Sequence, residues 1–160
     1  MNKIFGRLVV ATVLSVTVGS AAMAASHPDP VIGTWVLDVE KSTFTPGPAP
    51  KAATRTYAQT ADGILLTFSG VAADGSAVAG QSTFKYDGKD YPITGTPDYD
   101  TLTLKRVNRT TVKSAQKKDG KVIGWTTRTI TKHGQVLTLT SHGTDAKGVK
   151  FKSVAVYNKQ

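Results

Sequence analysis

The sequence predicts an all-β protein, an antiparallel up-and-down barrel of about eight to ten strands. Three observations carry that expectation. Asp62-Gly63, Asp74-Gly75, Asp87-Gly88, Asp119-Gly120 and His133-Gly134 punctuate the chain at hairpin spacing, and such pairs supply the positive φ that tight turns need. The runs between them alternate apolar and polar residues, and no helical period lasts beyond two turns.

The opening strand comes first in the argument. Pro30 and Val31 lead into Gly33-Thr34-Trp35-Val36-Leu37, a run rich in β-formers. Gly33 permits a close approach there, and Trp35 is expected to plug one end of the core. Thr45-Pro46-Gly47-Pro48-Ala49-Pro50-Lys51 follows. Its alternate prolines exclude helix and central strand, which leaves an ordered loop that is either a lid or a structural cover. Phe44 is expected to pin this loop to the body.

The later strands are expected at Thr54–Gln59, Ile64–Gly70, Val78–Tyr86, Tyr91–Thr94, Thr101–Val107, Thr110–Lys117, Val122–Thr131, Val136–Ser141 and Val149–Asn158. Alternation assigns one face of each to the core. Ile64, Leu66 and Phe68 share a side, as do Leu102 with Leu104, Leu137 with Leu139, and Val149 with Phe151, Ala155 and Tyr157. Strands in simple sequence order leave exposed edges unless the sheet closes, and a barrel closes it. Small residues assigned inward, namely Gly70, Gly80, Ser82, Gly124 and Ala155, are expected to leave space inside.

The first 24 residues read as a leader rather than as part of the domain. Lys3 and Arg7 precede an apolar run from Leu8 to Val18, and Ala22-Met23-Ala24 is a small-x-small cleavage site. Export to the periplasm or beyond is the expectation, with residues 25–160 forming a single domain. The chain has no cysteine, which excludes disulfides, thiol chemistry and thiolate ligands. The formal net charge is +9, compatible with weak contact with an anionic membrane surface. The lysines read as scattered, and those around Lys113, Lys117, Lys118 and Lys121 as a solvated hairpin tip. No basic stripe interleaved with aromatics is evident, so nucleic acid is not an expected partner.

Gly33-Thr34-Trp35, the long loop, the serial hairpins and a final Val154-Ala155-Val156-Tyr157-Asn158-Lys159 together resemble the calycins, the lipocalins and fatty-acid-binding proteins. The run Tyr86-Asp87-Gly88-Lys89-Asp90-Tyr91-Pro92-Ile93-Thr94-Gly95 is similar to small exported bacterial proteins described as lipocalin-like. The resemblance implies a barrel that holds a small apolar molecule inside it; the alternative is a solid-cored basic envelope protein that meets anionic lipid or protein partners through its surface. No catalytic motif is evident, so neither an enzymatic activity nor a cofactor is expected, and the expected state is a monomer. Two departures are visible. The Pro46–Pro50 loop stands where fatty-acid-binding proteins have two helices. Tyr157 matches the family's carboxylate-binding Tyr, but Ala155 stands at the position of its Arg, so the resemblance implies a preference for neutral ligands over long-chain carboxylates.

The polar and aromatic candidates for the interior are Arg55, Tyr57, Phe84, Trp125, Arg128 and Tyr157, and all but Arg55 are assigned to ligand binding. Periodicity leaves open which face of their strand Arg128 and Trp125 occupy. An inward Arg128 would need an acid or a ligand as partner, because a lone buried guanidinium is costly. His27, His133 and His142 are isolated, with no metal-ligand spacing. Asp87, Asp90, Asp98 and Asp100 fit turn chemistry rather than a calcium loop. Ser42, Ser69 and Ser82 lack a nucleophile context.

Overall fold

The computed structural model describes residues 28–131, 133–145 and 147–160. The leader and its cleavage site, with His27, lie outside the described residues. Ten strands run in order: β1 (Gly33–Thr45), β2 (Ala52–Thr60), β3 (Gly63–Val71), β4 (Ala77–Phe84), β5 (Asp87–Pro92), β6 (Thr101–Arg106), β7 (Thr111–Lys118), β8 (Lys121–Ile130), β9 (Val136–Thr144) and β10 (Lys150–Lys159). They form one antiparallel sheet in the order β4-β3-β2-β1-β10-β9-β8-β7-β6-β5. Every pair of consecutive strands is thus paired in the sheet except β4 and β5, which form its two ends, and β1 also pairs with β10. This is the all-β meander that the alternation and the turns predict.

The sheet curls until its two ends nearly meet. The residues just after β5 reach back to β4, where Thr94 N donates to Gln81 O at 3.0 Å. Beside that bond Ser82 Oγ donates to Pro92 O at 2.8 Å. Gly80 and Gly95 make the junction possible. A Cβ on Gly80 would lie 2.0 Å from Thr94 O, and one on Gly95, at φ +80°, would lie 2.0 Å from Ala79 O. Backbone therefore fills the place of a side chain on both sides of the seam.

One end of the barrel, the base, carries residues 28–32 and the β2–β3, β4–β5, β6–β7 and β8–β9 turns. Trp35 is fully buried here, its indole Nε1 donating to Val31 O at 2.7 Å. Val31 is equally buried, and Asp29 ties this segment across to β6 through an ion pair with Arg106. Lys159 Nζ lies 5.1 Å from the Trp35 ring centroid. The Gly33 conformation, at φ +131°, brings Lys159 Cε to 2.8 Å from where a Cβ would sit. Close approach at Gly33 is thus with a side chain rather than with another backbone.

The opposite end, the mouth, carries the Pro46–Lys51 loop and the β3–β4, β5–β6, β7–β8 and β9–β10 connections. β1 bends to serve both ends. Its first part pairs β2 only through Gly33–Val36, and its register against β10 jumps between Asp38 and Thr43. Ser42 anchors that bulge, donating from Oγ to Asp38 O at 2.6 Å and accepting from Val156 N at 2.9 Å. Beyond Val36 the two strands separate, and the prolyl loop spans the opening. Lys51 N fastens the end of this loop to Val71 O at 2.9 Å.

Two sequence expectations are corrected here. Asp87-Gly88 is not a hairpin turn: the chain reverses at Lys85 and Tyr86, and the pair forms a bulge at the start of β5 between Asp87 and Asp90. The Asp87 carboxylate accepts from Lys89 N at 3.1 Å and from Tyr91 OH at 2.9 Å, holding the bulge. Most of the small residues do not leave space. Gly70 and Gly80 admit backbone, and the ring of Phe151 and the side chain of Gln116 fill the place beside Gly124. Of that set, Ala155 lines the cavity.

Candidate ligand cavity

Inside the barrel is a cavity of about 210 Å³. Part of its lining is apolar, formed by Leu66, Phe84, Leu102, Leu104, Val112 and Leu139. Part is polar, because β7, β8 and β9 also turn Ser114, Gln116, Thr126 and Ser141 inward. Ser114 Oγ donates to Thr126 O at 3.3 Å, and the other three side chains form a chain. Gln116 Nε2 donates to Thr126 Oγ1 at 2.9 Å, and Thr126 Oγ1 lies 2.7 Å from Ser141 Oγ. Phe44 and Tyr99 close over the mouth side.

Two arginines enter this space from different strands. Arg128, on β8, is 6% exposed, and its Nη2 donates to Tyr86 OH at 2.6 Å. Its guanidinium lies 5.4 Å from the ring centroids of both Tyr57 and Tyr86. Arg55, on β2 and nearer the mouth, is partly buried and donates from Nε to Tyr57 OH at 3.3 Å. It sits 5.6 Å from the Phe68 ring and 6.0 Å from the Tyr157 ring. Tyr57 thus stands between the two cations.

Among the described residues neither arginine forms an ion pair with a carboxylate. Arg128 Nε and Gln116 Oε1 are buried without a hydrogen-bond partner in the protein. Burial works against ionisation of Tyr57, yet the guanidiniums of Arg55 and Arg128 outweigh it and hold the phenol below its ordinary range. Burial dominates at Tyr86 and Tyr99 and raises both.

The structure brings Tyr57, Phe84, Arg128 and Tyr157 together around this cavity. It settles the facing of β8, where Gly124, Thr126, Arg128 and Ile130 point inward. Trp125 is therefore corrected: it lies on the outer wall, 52% exposed, because the strand period that turns Arg128 in turns its odd-numbered neighbours out. Arg55, left out of the ligand-binding assignment, lines the cavity beside Tyr57. The inward polar row of Ser114, Gln116, Thr126 and Ser141 was also missed. The signal was present in the period: each residue lies two or four positions from another inward one.

A second, mostly apolar hollow of about 230 Å³ adjoins Arg55 at the mouth, lined by Pro50, Ala53, Phe68, Val71 and Val78 among others. Arg55 and Phe68 belong to the inner faces of β2 and β3, so this hollow continues the interior towards the prolyl loop.

No protein-family model matches the sequence, and no curated protein sequence matches it. Among solved structures, the fold is similar to that of the zebrafish ileal bile acid-binding protein in complex with cholic acid. The two share 11% identity over 82% of this chain and 99% of that one, with a TM-score of 0.46. At that similarity the functional reading rests on the cavity's own side chains.

Proposed function

We propose that the protein is an exported, non-enzymatic barrel that binds a small amphipathic anion in its interior. The observation that carries this is the pair Arg55 and Arg128, converging on Tyr57 in one cavity with no carboxylate partner among the described residues. Arginine cannot escape burial by losing its proton. A cation–π contact returns about 0.5–2 kcal/mol, less than the several kcal/mol lost when an ion is desolvated. An anion between the two guanidiniums would answer both charges and offer an acceptor to Arg128 Nε. The apolar part of the lining and the mouth hollow would take the rest of the molecule.

This reading revises the ligand expected from the family resemblance. Ala155 does remove an arginine from the last strand, but Arg55, set two residues before Tyr57, places a cation within 6.0 Å of the Tyr157 ring from β2 instead. Melting-temperature shifts with aromatic and short aliphatic carboxylates and their matching alcohols test the proposal. Carboxylates should raise the transition by mass action and alcohols should not; equal shifts from both series would refute it. Intact-mass measurement of the exported chain tests the leader, with Ala25 expected as the first residue.

A further inference from the structure

Charge is segregated around the barrel. Residues 101–160 hold thirteen of the twenty Lys and Arg but only two acids, Asp119 and Asp145. The described part of this stretch forms β6 to β10, which are consecutive in the sheet, so that, Arg128 in the cavity apart, basic residues of these strands that look scattered in sequence gather on one wall. Strands β7 to β10 contain no Asp or Glu. Both acids sit in turns, and Asp145 is occupied with Lys147 N and Val149 N.

Trp125 stands in the middle of that wall. It is 52% exposed, whereas Trp35 is fully buried. Its cross-strand partner is His142, whose own partner on β10 is Lys152. Lys113 joins Trp125 and His142 around a shallow outer hollow of about 300 Å³. Lys113 and Lys152 make no ion pair among the described residues, unlike Lys117 and Lys118, which meet Asp90 and Asp100. Towards the mouth the same wall exposes Val122 (46%), and Val149, expected on the core face, is 45% exposed because it lies in the β9–β10 connection, before β10 begins.

We infer that the β6–β10 wall, centred on Trp125, docks the barrel onto an anionic lipid bilayer. An indole amid lysines and small hydroxyl side chains matches the headgroup region, where Trp settles and each nearby lysine adds about fivefold in partition. Single-stranded nucleic acid would instead call for several outward aromatics to stack bases. Here Tyr157 turns into the cavity and Phe151 packs against Gly124, leaving the indole of Trp125 as the aromatic presented by β7 to β10. Docked this way, the β7–β8 and β9–β10 turns bring the mouth to the membrane.

Vesicles of phosphatidylcholine, with and without about one-third phosphatidylglycerol, provide the test at low salt. The mature protein should sediment with the anionic vesicles alone, and brominated lipid should quench wild-type fluorescence but not that of Trp125→Phe. Lys113→Glu/Lys152→Glu should lower partition by more than about tenfold. Lys51→Glu/Lys85→Glu, the same charge change off this wall, should stay within about twofold of wild type. Melting curves confirm that both variants fold. Equal losses in the two double variants, unquenched Trp125, or tighter binding to a single-stranded oligonucleotide than to the vesicles would each overturn the inference.

Discussion

Tyr86 is shared by an arginine inside the barrel and one outside it. Its hydroxyl accepts a 2.6 Å hydrogen bond from Arg128 Nη2, while the guanidinium of Arg106 lies 4.2 Å above its ring. Arg106 in turn pairs with Asp29 of the base segment. The carboxylate on this line of contacts thus pairs with the outer arginine, and the inner one is left with phenols. Neutral partners orient Arg128 without neutralising it.

That arrangement predicts opposite effects of one substitution on stability and binding. Arg128→Met removes a buried charge that has no counter-ion among the described residues. The ligand-free protein should be as stable as wild type or more stable, by about 1–3 kcal/mol. Affinity for anionic ligands should fall by at least about tenfold, the loss expected when a charge-assisted hydrogen bond disappears. Denaturant unfolding and calorimetric titration read the two effects, and a strongly destabilised Arg128→Met would show that the charge is satisfied without a ligand.

Tyr57 gives a spectroscopic test. Despite its burial, the flanking guanidiniums lower its pKa, so the folded protein releases this proton before the unfolded chain does. The stability contributed by Tyr57 is present above the unfolded value of about 10, and is lost as pH falls through the folded one. Phenolate absorbance should show a tyrosine that ionises early and is missing from Tyr57→Phe. The advantage of wild type over Tyr57→Phe should grow as pH rises towards about 10. An early component that survives in the variant would contradict the placement of the two cations.

Closure of the barrel depends on the glycine contact between the residues after β5 and β4. Gly95→Ala sets a Cβ against Ala79 O and Gly80 Cα from a backbone at φ +80°. It should cost at least about 2 kcal/mol, the sum of strain at a left-handed residue and displacement of the seam. Chemical denaturation measures this, and a loss below about 0.5 kcal/mol would mean that the seam is loose.

The two tryptophans should separate core from surface. Trp35→Ala, which empties the base and leaves Val31 O without its donor, should cost about 3–5 kcal/mol. Trp125→Ala should stay within about 0.5 kcal/mol, because the indole is mostly outside. Similar losses at both positions would refute this division.

Much of the architecture was legible because strand period and turn chemistry are local. Asp119, at φ 50°, and Gly120, at φ 76°, form the two-residue turn that their sequence requires. Asp87-Gly88 shows the limit: the same pair serves a hairpin or a bulge, and the pairing of Asp87 with Lys105 and of Asp90 with Thr103 on β6 that makes it a bulge is not local. The cavity was legible only in part. Ten residues of β8 fit either facing, since Arg128 and Trp125 are each plausible on either side, and the choice depends on Tyr57 of β2 and Tyr86 of the β4–β5 turn. The basic wall was hidden for a similar reason, because lysines spaced along the chain become neighbours only through the sheet order.

The central claim, that the interior is built for an anion, is tested most directly by two fluorescent ligands that share one aromatic skeleton. Anilinonaphthalene sulfonate carries a sulfonate, and N-phenyl-1-naphthylamine is the same ring system without it. The mature protein should bind the sulfonate at least about tenfold more tightly, in keeping with a charge-assisted contact in a sheltered site. The preference should persist at physiological salt, where screening acts over about 8 Å, and vanish in Arg55→Met/Arg128→Met. If the neutral amine binds as tightly as the sulfonate, or if the preference survives removal of both arginines, the anion-binding account is wrong.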